Sequence, residues 1–100
     1  MLSFVMTVIG TGIVNLFIEN FPDSQSSLNG WLKVMRENHF KHFNDLKQTF
    51  GSADYVKPYT VFNISGNKYR LISLMTYAAA TVGVKQVLTH AEYDKEKWKR

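Results

Sequence analysis

Tyr59-Thr60-Val61-Phe62-Asn63-Ile64-Ser65-Gly66-Asn67-Lys68-Tyr69-Arg70-Leu71-Ile72 is the stretch that decides the fold. Two runs rich in β-branched and aromatic residues flank Gly66-Asn67, the pattern of strands joined by a tight hairpin turn. Working outward, Val56–Ser65 reads as one strand, disturbed at Pro58, and Lys68–Tyr77 as the next. Ala78–Ala80 make a turn, and Thr81–Thr89 form a third strand. Residues two apart on a strand share a face, so Lys68 and Arg70 are expected side by side. His90–Arg100 starts as a loop and ends as a short charged helix.

Upstream, Phe4, Val5, Val8 and Ile9 suit a buried strand, and Gly10-Thr11-Gly12 a turn. Ile13, Leu16, Phe17 and Phe21 recur with helical spacing. Pro22 disfavours helix at Phe21, and Asp23 or Ser24 can cap a second helix. That helix places Leu28, Trp31, Leu32 and Met35 on one stripe and ends near Asn38. Phe40, Phe43, Leu46 and Phe50 give core contacts from a connector with one short turn, and Gly51–Asp54 form a loop. The sum is one α+β domain over residues 1–100. It has an N-terminal strand, a helical hairpin and three antiparallel strands, whose free face is expected to be concave and basic, followed by a C-terminal tail.

The charge is uneven. Residues 1–50 carry four Lys or Arg against four acids; residues 51–100 carry eight against four, so the whole formal excess of +4 lies in the second half. No carboxylate occurs between Asp54 and Glu92, an interval holding Lys57, Lys68, Arg70, Lys85 and His90. Cations on strands without acids to neutralise them point to a polyanionic partner. The chain has no cysteine, which excludes disulfides, thiolate zinc sites and a cysteine nucleophile. His39-x-x-His42 gives two imidazoles, too few for a zinc site. Asn63-Ile64-Ser65 matches a glycosylation sequon but lies in a strand. No metal or other cofactor is expected.

Met1–Ile18 is free of charge, so a membrane segment is a competing reading. Thr7, Gly10, Thr11, Gly12 and Asn15 interrupt it, no positive n-region precedes it, and eighteen residues is the short limit for a span. A strand and helix of a cytoplasmic domain fit better, with Met1–Val5 an N-terminal extension if translation starts at Met6.

Val61-Phe62-Asn63-Ile64-x-Gly66-Asn67-Lys68-Tyr69-Arg70-Leu71-Ile72, followed by Thr89-His90-Ala91-Glu92-Tyr93-Asp94, resembles the HigB family of toxins in the RelE-like superfamily. Phe21-Pro22-Asp23, Trp31, Phe43-x-x-Leu46-Lys47-x-x-Phe50 and Ser52-Ala53-Asp54 extend the likeness over nearly the whole chain from Met6. It departs where such toxins often carry basic residues at the start of the first helix, Arg at Lys85 and Gly at Leu88. The resemblance implies a RelE-like fold and a ribosome-dependent mRNA interferase that inhibits translation. It also implies neutralisation by a HigA-like helix-turn-helix antitoxin, through which alone the toxin meets operator DNA.

Such an enzyme lets the 2′-hydroxyl of RNA attack the adjacent phosphate. It needs a base, an acid and positive charge on the transition state, and no metal. Arg70 is the candidate for the phosphate, because a guanidinium grips two oxygens in a fixed fork. His90 is the candidate acid or base, an imidazole's ordinary pKa lying near neutrality. Tyr93 either stacks on a base or, with its pKa depressed by cations, helps activate the 2′-hydroxyl. Lys68, Lys85, Asn67 and Lys57 are candidate RNA contacts. The other readings are a non-catalytic RNA- or ribosome-binding module, using the same cations without His90 or Tyr93, and a membrane-associated interaction protein.

Overall fold

The computed structural model describes residues 5–99; Phe4, part of the expected first strand, lies outside them. The elements are β1 (Thr7–Ile9), α1 (Thr11–Asn20), a 3-10 turn (Pro22–Ser24), α2 (Gln25–Glu37) and α3 (Phe43–Thr49). They continue with β2 (Asp54–Val56), β3 (Tyr59–Ile64), β4 (Tyr69–Thr76), β5 (Thr81–Thr89), α4 (His90–Asp94) and a second 3-10 turn (Lys97–Lys99). No helix among the described residues is long and apolar enough to cross a membrane.

The fold is α+β, as expected, but its sheet is larger than three strands. It has five strands in the order β1-β5-β4-β3-β2. β1 pairs in parallel with β5, and the other neighbours are antiparallel. Val56–Ser65 is not one strand: the chain reverses at the cis Lys57–Pro58 bond, so that Asp54–Val56 folds back on Tyr59–Val61. The ring that keeps Pro58 out of a ladder thus sits in a turn. The next hairpin turns over four residues, Ser65–Lys68, with Ser65 and Gly66 at positive φ.

Helices cover one face of the sheet. Leu28, Trp31, Leu32 and Met35 of α2 are buried as their spacing predicts, and pack with Phe62, Leu71, Val82 and Val84. Phe40 and Leu46 close one end of this core, with Phe43 and Phe50 half-buried beside them. α1 departs from expectation. Val14 and Phe17 are its buried residues, while Ile13 is 39% and Leu16 60% exposed. Five apolar residues between Ile13 and Ile18 leave the buried stripe undefined by spacing alone. Ile9 is also exposed, because its strand is an edge strand of three residues and its neighbour Val8 turns toward the core instead.

Two local features set the helix starts. Gly10 is not part of a three-residue turn; it alone makes the corner between β1 and α1, at φ 92°. A Cβ there would lie 2.7 Å from the Val84 carbonyl oxygen, so only glycine fits this approach. At α2, neither expected cap works through its side chain: the Ser24 hydroxyl donates to the Phe21 carbonyl, and Asp23 is held by Lys68 and Tyr69.

Candidate RNA-cleavage site

The opposite face of the sheet is neither open nor uniformly basic. Val61 and Ile72 form a second small core there with Trp98, which is 5% exposed, and Val56, Tyr59, Leu88 and Tyr93 pack around them. The tail is therefore docked. The Trp98 indole N–H donates to the Tyr93 carbonyl at 2.9 Å, and the two rings stack with centroids 4.9 Å apart and planes 14° from parallel. Tyr59 meets Trp98 edge-on at 6.0 Å. In sequence, Lys95–Arg100 reads as charge with one tryptophan; an apolar side chain large enough to cover a half-buried strand face was the available signal.

Arg70 lies on this face, in register with Asn63 on one side and Leu88 on the other. It is 8% exposed, so its charge is largely out of water. Its guanidinium donates to the carbonyls of Asn67 and Tyr69 and to the Asn67 side chain. It also sits over the Tyr93 ring, 5.3 Å from the centroid. Among the described residues no carboxylate forms an ion pair with it. A buried cation is ordinarily matched by an anion; this one is held by neutral oxygens and an aromatic face, which fix the fork without cancelling its charge.

α4 begins immediately after β5, not after a loop. Thr89 accepts from the Glu92 N–H, while Glu92 accepts from the Thr89 N–H, a capping box. The Thr89-x-x-Glu92 spacing announces it in the sequence. This start places His90, Tyr93 and Asp94 at i, i+3 and i+4, close to one helical face. The His90 N–H is tied to the Lys68 carbonyl across the sheet end. Its Nδ1 lies 3.0 Å from Asp94 Oδ2, with both side chains substantially exposed.

Tyr93 differs from its expected roles. Burial is the largest influence on its hydroxyl and pushes the pKa above the usual tyrosine value; Asp54 adds to this, and Arg70 and Lys99 oppose it. The phenol thus keeps its proton at neutral pH. With Trp98 stacked on its ring and Arg70 over it, the ring is already engaged by the protein.

The structure brings Arg70, Asn67, His90 and Tyr93 to one end of β4 and β5, and places the lysines elsewhere. Lys68 is in the turn, not on the strand, and it pairs with Asp23 on the helical side, beside the Tyr69 hydroxyl, which donates to the same carboxylate at 2.7 Å. It therefore does not share a face with Arg70. The acid comes from outside the interval that sequence shows to be acid-free. Lys68 and Tyr69 hold the Asp23 carboxyl below its ordinary pKa. Asn67 serves first as an acceptor for Arg70. Lys57 is exposed in the β2–β3 turn, about six strand positions, or roughly 20 Å, from Arg70. Lys85 is the extra residue of a β-bulge, since Ile72 and Ser73 face Gln86 and Val84, and it lines a different groove. Of the two histidines set aside, His42 caps α3 by accepting from the Asp45 N–H. Among the described residues no three metal-ligating side chains converge.

Residues 24–96 match the family model described as HigB_toxin, RelE-like toxic component of a toxin-antitoxin system. The chain is 29% identical over 79 residues to the mRNA interferase toxin HigB of Escherichia coli strain K12, covering 76% of each chain. The figures are the same for the mRNA interferase HigB of Shigella flexneri. They are 27% over 78 residues for the mRNA interferase HigB of Escherichia coli O6:H1, with 75% of this chain and 76% of that one covered. The strands β2 to β5, with α2, α3 and α4, fall within the matched region, and the chain belongs to the HigB family of RelE-like toxins of toxin–antitoxin systems.

Proposed function

We propose that this HigB-family chain is an endoribonuclease that cuts messenger RNA on the ribosome in the cytoplasm, and that a cognate antitoxin of the HigA-like helix-turn-helix kind neutralises it. The observation that carries the reading is the Arg70 guanidinium, buried over the Tyr93 ring with no carboxylate paired to it among the described residues, at the end of the sheet where the His90 backbone bonds to Lys68. The relatives' names as mRNA interferases supply the substrate class.

In this mechanism His90 Nε2 takes the proton of the 2′-hydroxyl, and Asp94 on Nδ1 holds the imidazole in the required orientation. The 2′-oxygen bonds to phosphorus and the bond to the 5′-oxygen breaks. The products are a 2′,3′-cyclic phosphate and a 5′-hydroxyl, which Tyr93, kept protonated by its surroundings, supplies with a proton. Arg70 offers its positive charge, and the N–H groups that Asn67 and Tyr69 leave unoccupied, to the phosphate oxygens as charge accumulates on them. Asn67 holds the guanidinium in place through its carbonyl and side chain.

The test is cleavage of a defined message on programmed ribosomes, with product ends analysed. Arg70→Ala and His90→Gln are each expected to lower the rate a few hundredfold, about 3–4 kcal/mol of lost transition-state stabilisation, while leaving a folded chain. Parental rates in both variants would remove these residues from the mechanism.

A further inference from the structure

A second groove, about 510 Å³ in volume, runs between α1 and the outer side of β5. Ile13, Leu16, Phe17 and Phe21 make one wall, and Lys85 and Leu88 stand on the other. It exists because β1 is short. β1 pairs with β5 only from Thr81 to Gly83, and from Val84 to Thr89 no described strand lies on that side of β5. α1, launched by Gly10 against Val84, runs alongside and turns Leu16 outward at 60% exposure. Exposed apolar side chains beside an unpaired strand edge form a surface that another chain can cover.

Lys85 says what kind of chain. It is exposed, it is the one charged residue lining the groove, and among the described residues it has no ion-pair partner. A second copy laid on this edge about a twofold axis would bring a second lysine into the same groove, which opposes self-pairing. A partner with a carboxylate is favoured instead. The family supplies a protein partner, since a toxin of this kind is one component of a toxin-antitoxin system.

We propose that this groove docks an extended segment of the cognate antitoxin, one presenting two or three apolar side chains and a carboxylate that reaches Lys85. The inference rests on the toxin reading. It also rests on both walls, since α1 supplies the apolar side chains and β5 the lysine. The groove shares Gln86 and Leu88 with the smaller cleft formed by Glu92, Lys95, Lys97 and Trp98. Leu88 is the cross-strand neighbour of Arg70. A segment seated in the groove therefore narrows the approach to the cleavage site.

The probe is the purified product of the reading frame adjacent to this chain's gene, titrated into the full chain by calorimetry. Leu16→Arg and Lys85→Glu are expected to weaken binding at least tenfold, and Lys85→Arg to preserve it. Leu16 is exposed, so Leu16→Arg is expected to cleave mRNA on ribosomes at the parental rate, and co-expression of the adjacent product no longer relieves its growth arrest. Unchanged affinity in both weakening variants overturns the proposal, as does a parent chain that does not bind the product. So does a parent dimer that Leu16→Arg dissociates, which would make the groove a contact between copies. The nuclease reading is scored separately: a parent that binds the product, loses binding in both variants, yet cuts no message retains the docking surface and loses the enzyme.

Discussion

Replacing Trp98 with alanine tests whether the tail is part of the site or an appendage. The indole is 5% exposed, stacks on Tyr93 at 4.9 Å and donates one hydrogen bond to the Tyr93 carbonyl. Truncating a buried Trp to Ala ordinarily costs about 3–5 kcal/mol. Of this, the stack accounts for about 0.5–1.5 and the hydrogen bond for about 1. The cluster holding Trp98 is small, with Val61 and Ile72 its other fully buried members, and it lies at the end of the described chain. The Lys97–Lys99 turn can therefore detach without unfolding the main core, which caps the loss at about 2–3 kcal/mol. For a domain this size that lowers Tm by very roughly 10–20 °C. Trp98→Phe keeps a ring on Tyr93 and loses the N–H donor, so about 1 kcal/mol, or 4–8 °C, is expected. Thermal melts followed by near-ultraviolet circular dichroism measure both. Cleavage on ribosomes, assayed well below the melting point, is expected to fall at least tenfold in Trp98→Ala and to recover largely in Trp98→Phe, because the stack holds Tyr93 under Arg70. An unchanged Tm together with parental cleavage in Trp98→Ala would refute the docked tail. A lowered Tm with parental cleavage would leave the tail structural and remove Tyr93 placement from catalysis.

The remaining predictions concern a salt bridge, a corner and a phenol. Asp23 has a folded pKa below its ordinary value of 3.8, so the stability it contributes is present above that pH and is lost as pH falls below it; Asp23→Asn should flatten that part of an acid-unfolding curve, and an unchanged curve would count against the Lys68–Tyr69–Asp23 contact. Gly10→Ala forces a side chain into positive φ and against the Val84 carbonyl, costing about 2 kcal/mol or more and visible as a Tm drop of at least about 8 °C; a drop below about 2 °C would show that the corner relaxes freely. Tyr93→Phe keeps the stack and removes the proton donor, so it should slow cleavage while sparing Tm. Tyr93's hydroxyl pKa is raised on folding, so its contribution to stability is intact below about pH 10 and declines above it; a melt that does not change with pH across the alkaline range in the parent would contradict that burial.

Much of the fold is legible in the residue order. The stripe Leu28, Trp31, Leu32, Met35 fixes the buried face of α2, because a 3.6-residue period leaves one arrangement of four large apolar side chains. Thr81–Thr89 reads as a strand from its β-branched residues and is one. The motifs around Arg70 and His90 also carry the family resemblance, which the matched region bears out. Other features depend on contacts far apart in sequence. α1 is apolar on too many sides to declare its buried face; packing against β5 selects Val14 and Phe17 and leaves Leu16 outside. The parallel pairing of β1 with β5 joins residues more than seventy positions apart, and no local pattern encodes it. The acid-free interval from Tyr55 to Ala91 is a true statement about sequence but not about space, since Asp23 reaches Lys68 from the opposite half of the chain. Arg70 is different: it keeps its charge unpaired among the described residues, held instead by the oxygens of Asn67 and Tyr69 and by the Tyr93 ring. The sequence by itself determined the α+β class, the α2 stripe and the motifs around Arg70 and His90 that carry the family resemblance. Tertiary structure decided which cations stay free, which face the tail covers and that Tyr93 keeps its proton, because charge pairing and desolvation depend on distances that only the folded chain sets.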